Sequence, residues 1–101
     1  MSDEVEKAAL RQKIDEAIRE AKRREVGAKD VNPYNTAVIM LDRMKKLIDK
    51  DISKEERKKS IDSFSKFLTH MLEPVDEEFS HQLYDIGYQY MQLFDLLGFR
   101  S

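Results

Sequence analysis

Glu78-x-x-His81, with Asp85 one helical turn further on, is the spacing in this chain closest to a metal-ligand set. An E-x-x-H element puts a carboxylate and an imidazole on one helix face, and di-iron bundles carry one such element on each of two helices. The second copy is missing: the other histidine, His70, has Phe67 three positions before it. Both histidines project onto polar faces rather than toward a bundle interior, so a solvated charged face is the better reading, and neither a metal nor a cofactor is expected.

Catalytic chemistry finds no more purchase. Serines, histidines and carboxylates are present, but no motif fixes a nucleophile beside its base: there is no G-x-S-x-G, no phosphate-binding glycine loop and no H-E-x-x-H. Glu55-Glu56 and Glu77-Glu78 are adjacent in sequence, so on a helix they point about 100° apart and read as first-turn residues that favour the helix dipole. The chain is therefore not expected to be an enzyme.

Two basic runs, Lys22-Arg23-Arg24 and Arg57-Lys58-Lys59, with Lys45, Lys46, Lys50 and Lys54 between them, raise nucleic-acid binding as an alternative centred on residues 43–59. Such binding needs cations gathered on one surface to neutralise successive phosphates. Acids interrupt the runs here, namely Glu20, Glu25, Asp49, Asp51, Glu55 and Glu56, and the Gly-containing turn of a helix-turn-helix is absent.

A third pattern is apolar. Tyr84, Tyr88 and Met91 follow one another at spacings of four and three, roughly 100° or more from the centre of the core face of their helix. Aromatic and methionine side chains are enriched in protein interfaces because they bury large areas and adapt in shape. Coverage of the stripe by helix 1 or another neighbour within the bundle is the competing explanation.

The elements that position these residues are helices. Hydrophobic residues make up 41% and charged residues 38% of the 101, with 3 Gly, 2 Pro and no Cys. That composition leaves little turn chemistry for sheets, excludes disulfides and Cys-ligated zinc, and fits one domain with highly charged exposed faces. No apolar run approaches the roughly 18 residues of a membrane span, and the N-terminus is acidic where a signal peptide is basic, so no membrane partner and a cytoplasmic location are expected. Residues 1–72 hold 17 Lys and Arg against 14 Asp and Glu, whereas 73–101 hold 1 against 6, which makes the last helix the acidic one.

Apolar periodicity predicts helices over about 3–25, 33–50, 54–72 and 75–97 in a single domain, 1–101. The first has a narrow stripe of Leu10, Ile14, Ala17, Ile18 and Ala21. Asn32-Pro33 starts the second, whose face is Tyr34, Ala37, Val38, Leu41, Met44 and Ile48. Ser53-x-x-Glu56 is a capping box for the third, with Ile61, Phe64, Leu68, Met71 and Leu72 inward, Phe67 at the edge and Pro74 as its stop. The fourth carries Phe79, Leu83, Ile86, Tyr90, Leu93, Phe94 and Leu97 on its core face, takes the central place in the bundle, and stops at Gly98.

Short connections favour an all-α, antiparallel four-helix bundle. Because the helix 1 stripe is thin, a three-helix core with a mobile or swapped N-terminal helix is the second architecture. The expected function is binding another protein, or a second copy of this chain, through Tyr84, Tyr88 and Met91 with help from helix 1, as a regulator, inhibitor or self-associating module.

Overall fold

The computed structural model describes residues 2–27 and 32–96 and, within them, side chains from Glu4 onward. Helices α1 (Ser2–Glu25), α2 (Pro33–Ile48), α3 (Lys54–Phe67) and α4 (Glu77–Leu93) form an all-α four-helix bundle, with a π-helical turn, Leu68–Leu72, continuing α3. Neighbours run antiparallel in a ring: α1 packs on α2 and α4, and α3 packs on α4 and, least closely, on α2. Among the described residues neither diagonal pair, α1 with α3 or α2 with α4, makes a close backbone approach, so the central place expected for α4 is not what forms.

Local sequence sets the boundaries. Asn32 Oδ1 accepts the Tyr34 N–H at 3.2 Å and Pro33 takes the first helical position. Ser53 Oγ accepts the Glu56 N–H at 3.1 Å, and Asp76 Oδ1 caps α4 by accepting the Phe79 N–H at 3.1 Å. Each cap satisfies an N–H that the helix itself leaves free.

Helix 1 belongs to its own bundle. Leu10, Ile14, Ala17 and Ala21 are buried in a core shared by all four helices. Its alanines add little bulk, so a stripe that looks thin in sequence suits a close approach of helix backbones. Ion pairs flank both of its seams: Arg11–Asp49 and Lys45–Asp15, both 2.7 Å, toward α2, and Lys13–Asp85, 2.8 Å, toward α4. Exposed pairs of this kind contribute only about 0–1 kcal/mol each, so packing does most of the anchoring.

Two details of the expected core change. The Glu73 N–H reaches past the α-helical partner to the Leu68 carbonyl at 2.7 Å, a π turn placed just before Pro74, which has no N–H to continue the ladder. A π turn holds more residues per revolution, so Leu72 returns to the core face while Met71 swings out. Met71 is 53% exposed and Phe67, expected at the edge, is buried.

The fourth helix ends at Leu93, short of Leu97. Asp95 adopts the left-handed conformation at φ 58°, the Leu96 N–H bonds the Met91 carbonyl at 2.8 Å, and the Asp95 N–H bonds that of Gln92 at 3.3 Å. These are the paired bonds of a Schellman cap, with aspartate where glycine is usual and Leu96 buried as its apolar plug. Leu97 and Gly98 lie outside the described residues. Leu93 and Phe94 are only partly buried against the core.

Candidate functional site

The α4 stripe divides under the packing. Gly87 and Ser80 are buried on the flank of α4 that meets α3, where a Cβ on Gly87 would lie 3.6 Å from the Phe64 ring. Ser80 donates to the Leu68 carbonyl at 3.4 Å. Tyr84 and Met91 lie just outside this contact and pack partly against the core, with the Tyr84 hydroxyl hydrogen-bonded to Thr69 Oγ1. Tyr88 points further outward and is 47% exposed. Helix 1 occupies the opposite flank, opening a groove with α4 floored by Ala17, Leu83 and Ile86 and bridged by Lys13–Asp85. It therefore cannot extend the Tyr84, Tyr88, Met91 face, as the sequence reading expected it to.

The carboxylate–imidazole pattern also rearranges. Asp85 is drawn to Lys13, and Glu78 lies 3.5 Å from Arg24. Instead, Glu73, Glu77 and His81 each bring one ligand atom to within 4.8 Å of the others, with His81 Nε2 at 4.0 Å from Glu77. Glu77 and His81 sit one turn apart on α4, and Glu73 joins them from the turn that precedes it. Glu77 and His81 stand exposed in solvent, so the cluster lacks the buried, preoriented donors of a metal centre.

Two arginines that sequence assigned to basic surface runs turn inward. Arg24 Nη1 meets Asp76 Oδ2 at 2.7 Å, Nε meets Glu20 at 2.6 Å, and the guanidinium lies 4.9 Å from the centre of the Phe79 ring. Tyr34 completes the cluster by donating to Asp76 Oδ2 at 2.8 Å, so α1, α2 and α4 are tied together at one end. Hydrogen bonds from Arg23 and Arg24 pull the Glu20 carboxyl down to about 2. For Asp76, burial pushes the pKa up, but bonds from Arg24, the Phe79 N–H and Tyr34 outweigh it, so the carboxyl titrates below its ordinary range.

At the other end Arg57 is only 7% exposed. Its Nη1 donates to the Leu47 carbonyl at 2.7 Å and to the Tyr90 hydroxyl at 3.0 Å, its Nη2 donates to the Lys50 carbonyl at 2.6 Å, and its guanidinium stacks 3.7 Å from the Phe94 ring centre. Burial pushes the Tyr90 hydroxyl pKa up against the pull of Arg57, which keeps it protonated. The signal was in the sequence: Arg57 precedes Ile61, Phe64 and Leu68 at spacings of four, three and four, in register with the core.

The remaining cations sort into tied and untied. Lys45, Lys46 and Lys54 pair with Asp15, Asp42 and Asp95. Arg43 and Lys59 make no ion pair among the described residues, and they flank a notch of about 230 Å³ between α2 and α3, floored by Met40, Met44, Leu47 and Phe64. Comparison with protein-family models, with curated proteins and with solved structures finds no match to this chain.

Proposed function

We propose that this chain is a non-catalytic binding protein of the cytoplasm that docks another protein, or a second copy of itself, through the outer face of α4 centred on Tyr88. The observation that carries the reading is the exposure of Tyr88. Its ring stands beside two anchored neighbours, Tyr84 and Met91, and a large aromatic held on a rigid helix loses little conformational freedom when a partner covers it. A role for residues 43–59 in holding DNA or RNA has less support, since Arg57 is turned into the core and Lys45 and Lys54 are engaged by acids.

The test is affinity capture from a lysate of the source cell, with mass spectrometry, comparing wild type with Tyr88→Lys, and sedimentation of both proteins across concentration. Circular dichroism verifies that the variant is folded, as expected for a surface position. The reading expects a captured protein, or a self-association, that weakens about thirtyfold in the variant, the size of an aromatic hot-spot loss. Identical capture and sedimentation for both proteins, or no association of either kind, contradicts it.

A further inference from the structure

Among the described residues, α2 and α3 pack least closely of the neighbouring helices, although Arg57 ties the lower end of their seam. The notch floored by Met40, Met44, Leu47 and Phe64 continues past Leu47 and Lys59 into a second hollow of about 370 Å³ that includes Lys50, Ile52 and Glu56. Three cations, Arg43, Lys50 and Lys59, border this run without an ion-pair partner among the described residues, against one carboxylate, Glu56. Ser60 and Ser63 add two hydroxyls to the same rim.

We propose that the α2–α3 seam is a docking groove for an acidic peptide segment that inserts one bulky apolar side chain between Arg43 and Lys59. The surface is separate from the one centred on Tyr88, because α3 presents one flank to α2 and another to α4. The floor selects the anchor: methionine side chains reshape around an inserted Leu, Met or Phe, and an apolar notch gains from expelling water. The rim selects the flanks. Carboxylates beside the anchor meet Arg43 and Lys59 as charge-assisted acceptors and the two serine hydroxyls as neutral donors.

A polynucleotide fits the same rim less well. Its phosphates need a track of cations, and this rim offers three with the Glu56 carboxylate among them. An apolar floor offers nothing to a phosphate.

The experiment selects from a library of random peptides of about 16 residues on the full chain, with counter-selection on the Arg43→Glu, Lys59→Glu double variant. Both side chains are exposed, so charge reversal leaves the core untouched, and circular dichroism checks that the fold is retained. Selected peptides are expected to carry Asp or Glu on both sides of a Leu, Met or Phe. Their affinity falls at least about tenfold in the double variant and several-fold as salt rises from about 50 to about 300 mM. Bound peptide shifts the backbone amide resonances of Arg43, Leu47, Ser60 and Ser63.

Failure to enrich any peptide overturns the proposal, as do peptides without acidic flanks, equal binding to both proteins, and shifts confined to α4. A single-stranded oligonucleotide of about 16 nucleotides that binds the same residues more tightly than the selected peptides overturns it in favour of nucleic acid. Self-association abolished by the double variant assigns the groove to a second copy instead. None of these outcomes depends on Tyr88, so the two surfaces stand or fall separately.

Discussion

At one end of the bundle Arg24 meets the carboxylates of Glu20, Asp76 and Glu78, while at the other Arg57 meets two backbone carbonyls, a tyrosine hydroxyl and an aromatic face. Both are partly or wholly buried cations that fasten three helices, and the difference follows from which helix ends they face. Asp76 stands at the start of α4, where free N–H groups favour an anion, and Arg24 then compensates the anion that the cap requires. Arg57 faces the end of α2, where the last carbonyls keep lone pairs that the helix does not use and the dipole is negative, so the backbone itself supplies the acceptors. Among the described residues no carboxylate pairs with it. One end is thus an ionic cluster and the other a cation held by neutral groups.

The comparison is sharpened most by removing Arg57. Arg57→Ala removes the side-chain donor of the Lys50 carbonyl and the Tyr90 hydroxyl, leaves the Leu47 carbonyl with only backbone N–H donors such as that of Lys50, and opens a void beneath Phe94. A loss of about 3 kcal/mol is expected, read as a fall in Tm of about 15 °C in thermal unfolding. An unchanged Tm would mean that the carbonyls are as well served by water and that this end is not held by the arginine.

Asp76→Ala is the matching break at the ionic end. It removes the N-cap of α4 together with the acceptor of Arg24 and Tyr34, and about 2 kcal/mol is expected from chemical denaturation. Asp76→Asn, which keeps the cap but not the charge, recovers part of that loss. Equal effects of the two substitutions would show that the ionic cluster, not the cap, is what matters there.

Much of the fold was legible in the sequence because its signals are local. Asn32-Pro33, Ser53 and Asp76 cap helices with side chains close along the chain, and the apolar periods of α2 and α4 need no knowledge of their neighbours. What escaped depends on the third dimension. The π turn moves Met71 out, which no α-helical wheel can anticipate. Asp95 ends α4 in a conformation for which glycine is the usual marker, so Gly98 drew attention instead.

Charge was the least legible quantity of all. Arg57 and Lys58 are neighbours in one basic run, yet one is buried on carbonyls and the other is exposed. Of the α4 stripe, sequence left open whether a neighbour covers it, and Tyr88 is exposed. The partial cover over Tyr84 and Met91, and the α2–α3 notch, arise only when helices assemble.

The account of the two ends is tested most directly by acid unfolding of wild type, Arg24→Met and Arg57→Met in parallel, from about pH 7 down to about pH 2. Glu20 and Asp76 have folded pKa values below their unfolded ones, so the stability they contribute is present above about pH 4 and is lost as pH falls through the folded values. Arg24→Met is predicted to weaken that acid-dependent loss, since both carboxyls lose a hydrogen-bonding cation and Asp76 is left with burial pushing its pKa up. Arg57→Met is predicted to lower the whole curve while keeping the wild-type dependence on pH. A flattened curve for Arg57→Met, or an unchanged dependence for Arg24→Met, would contradict the assignment of ionic and neutral chemistry to the two ends.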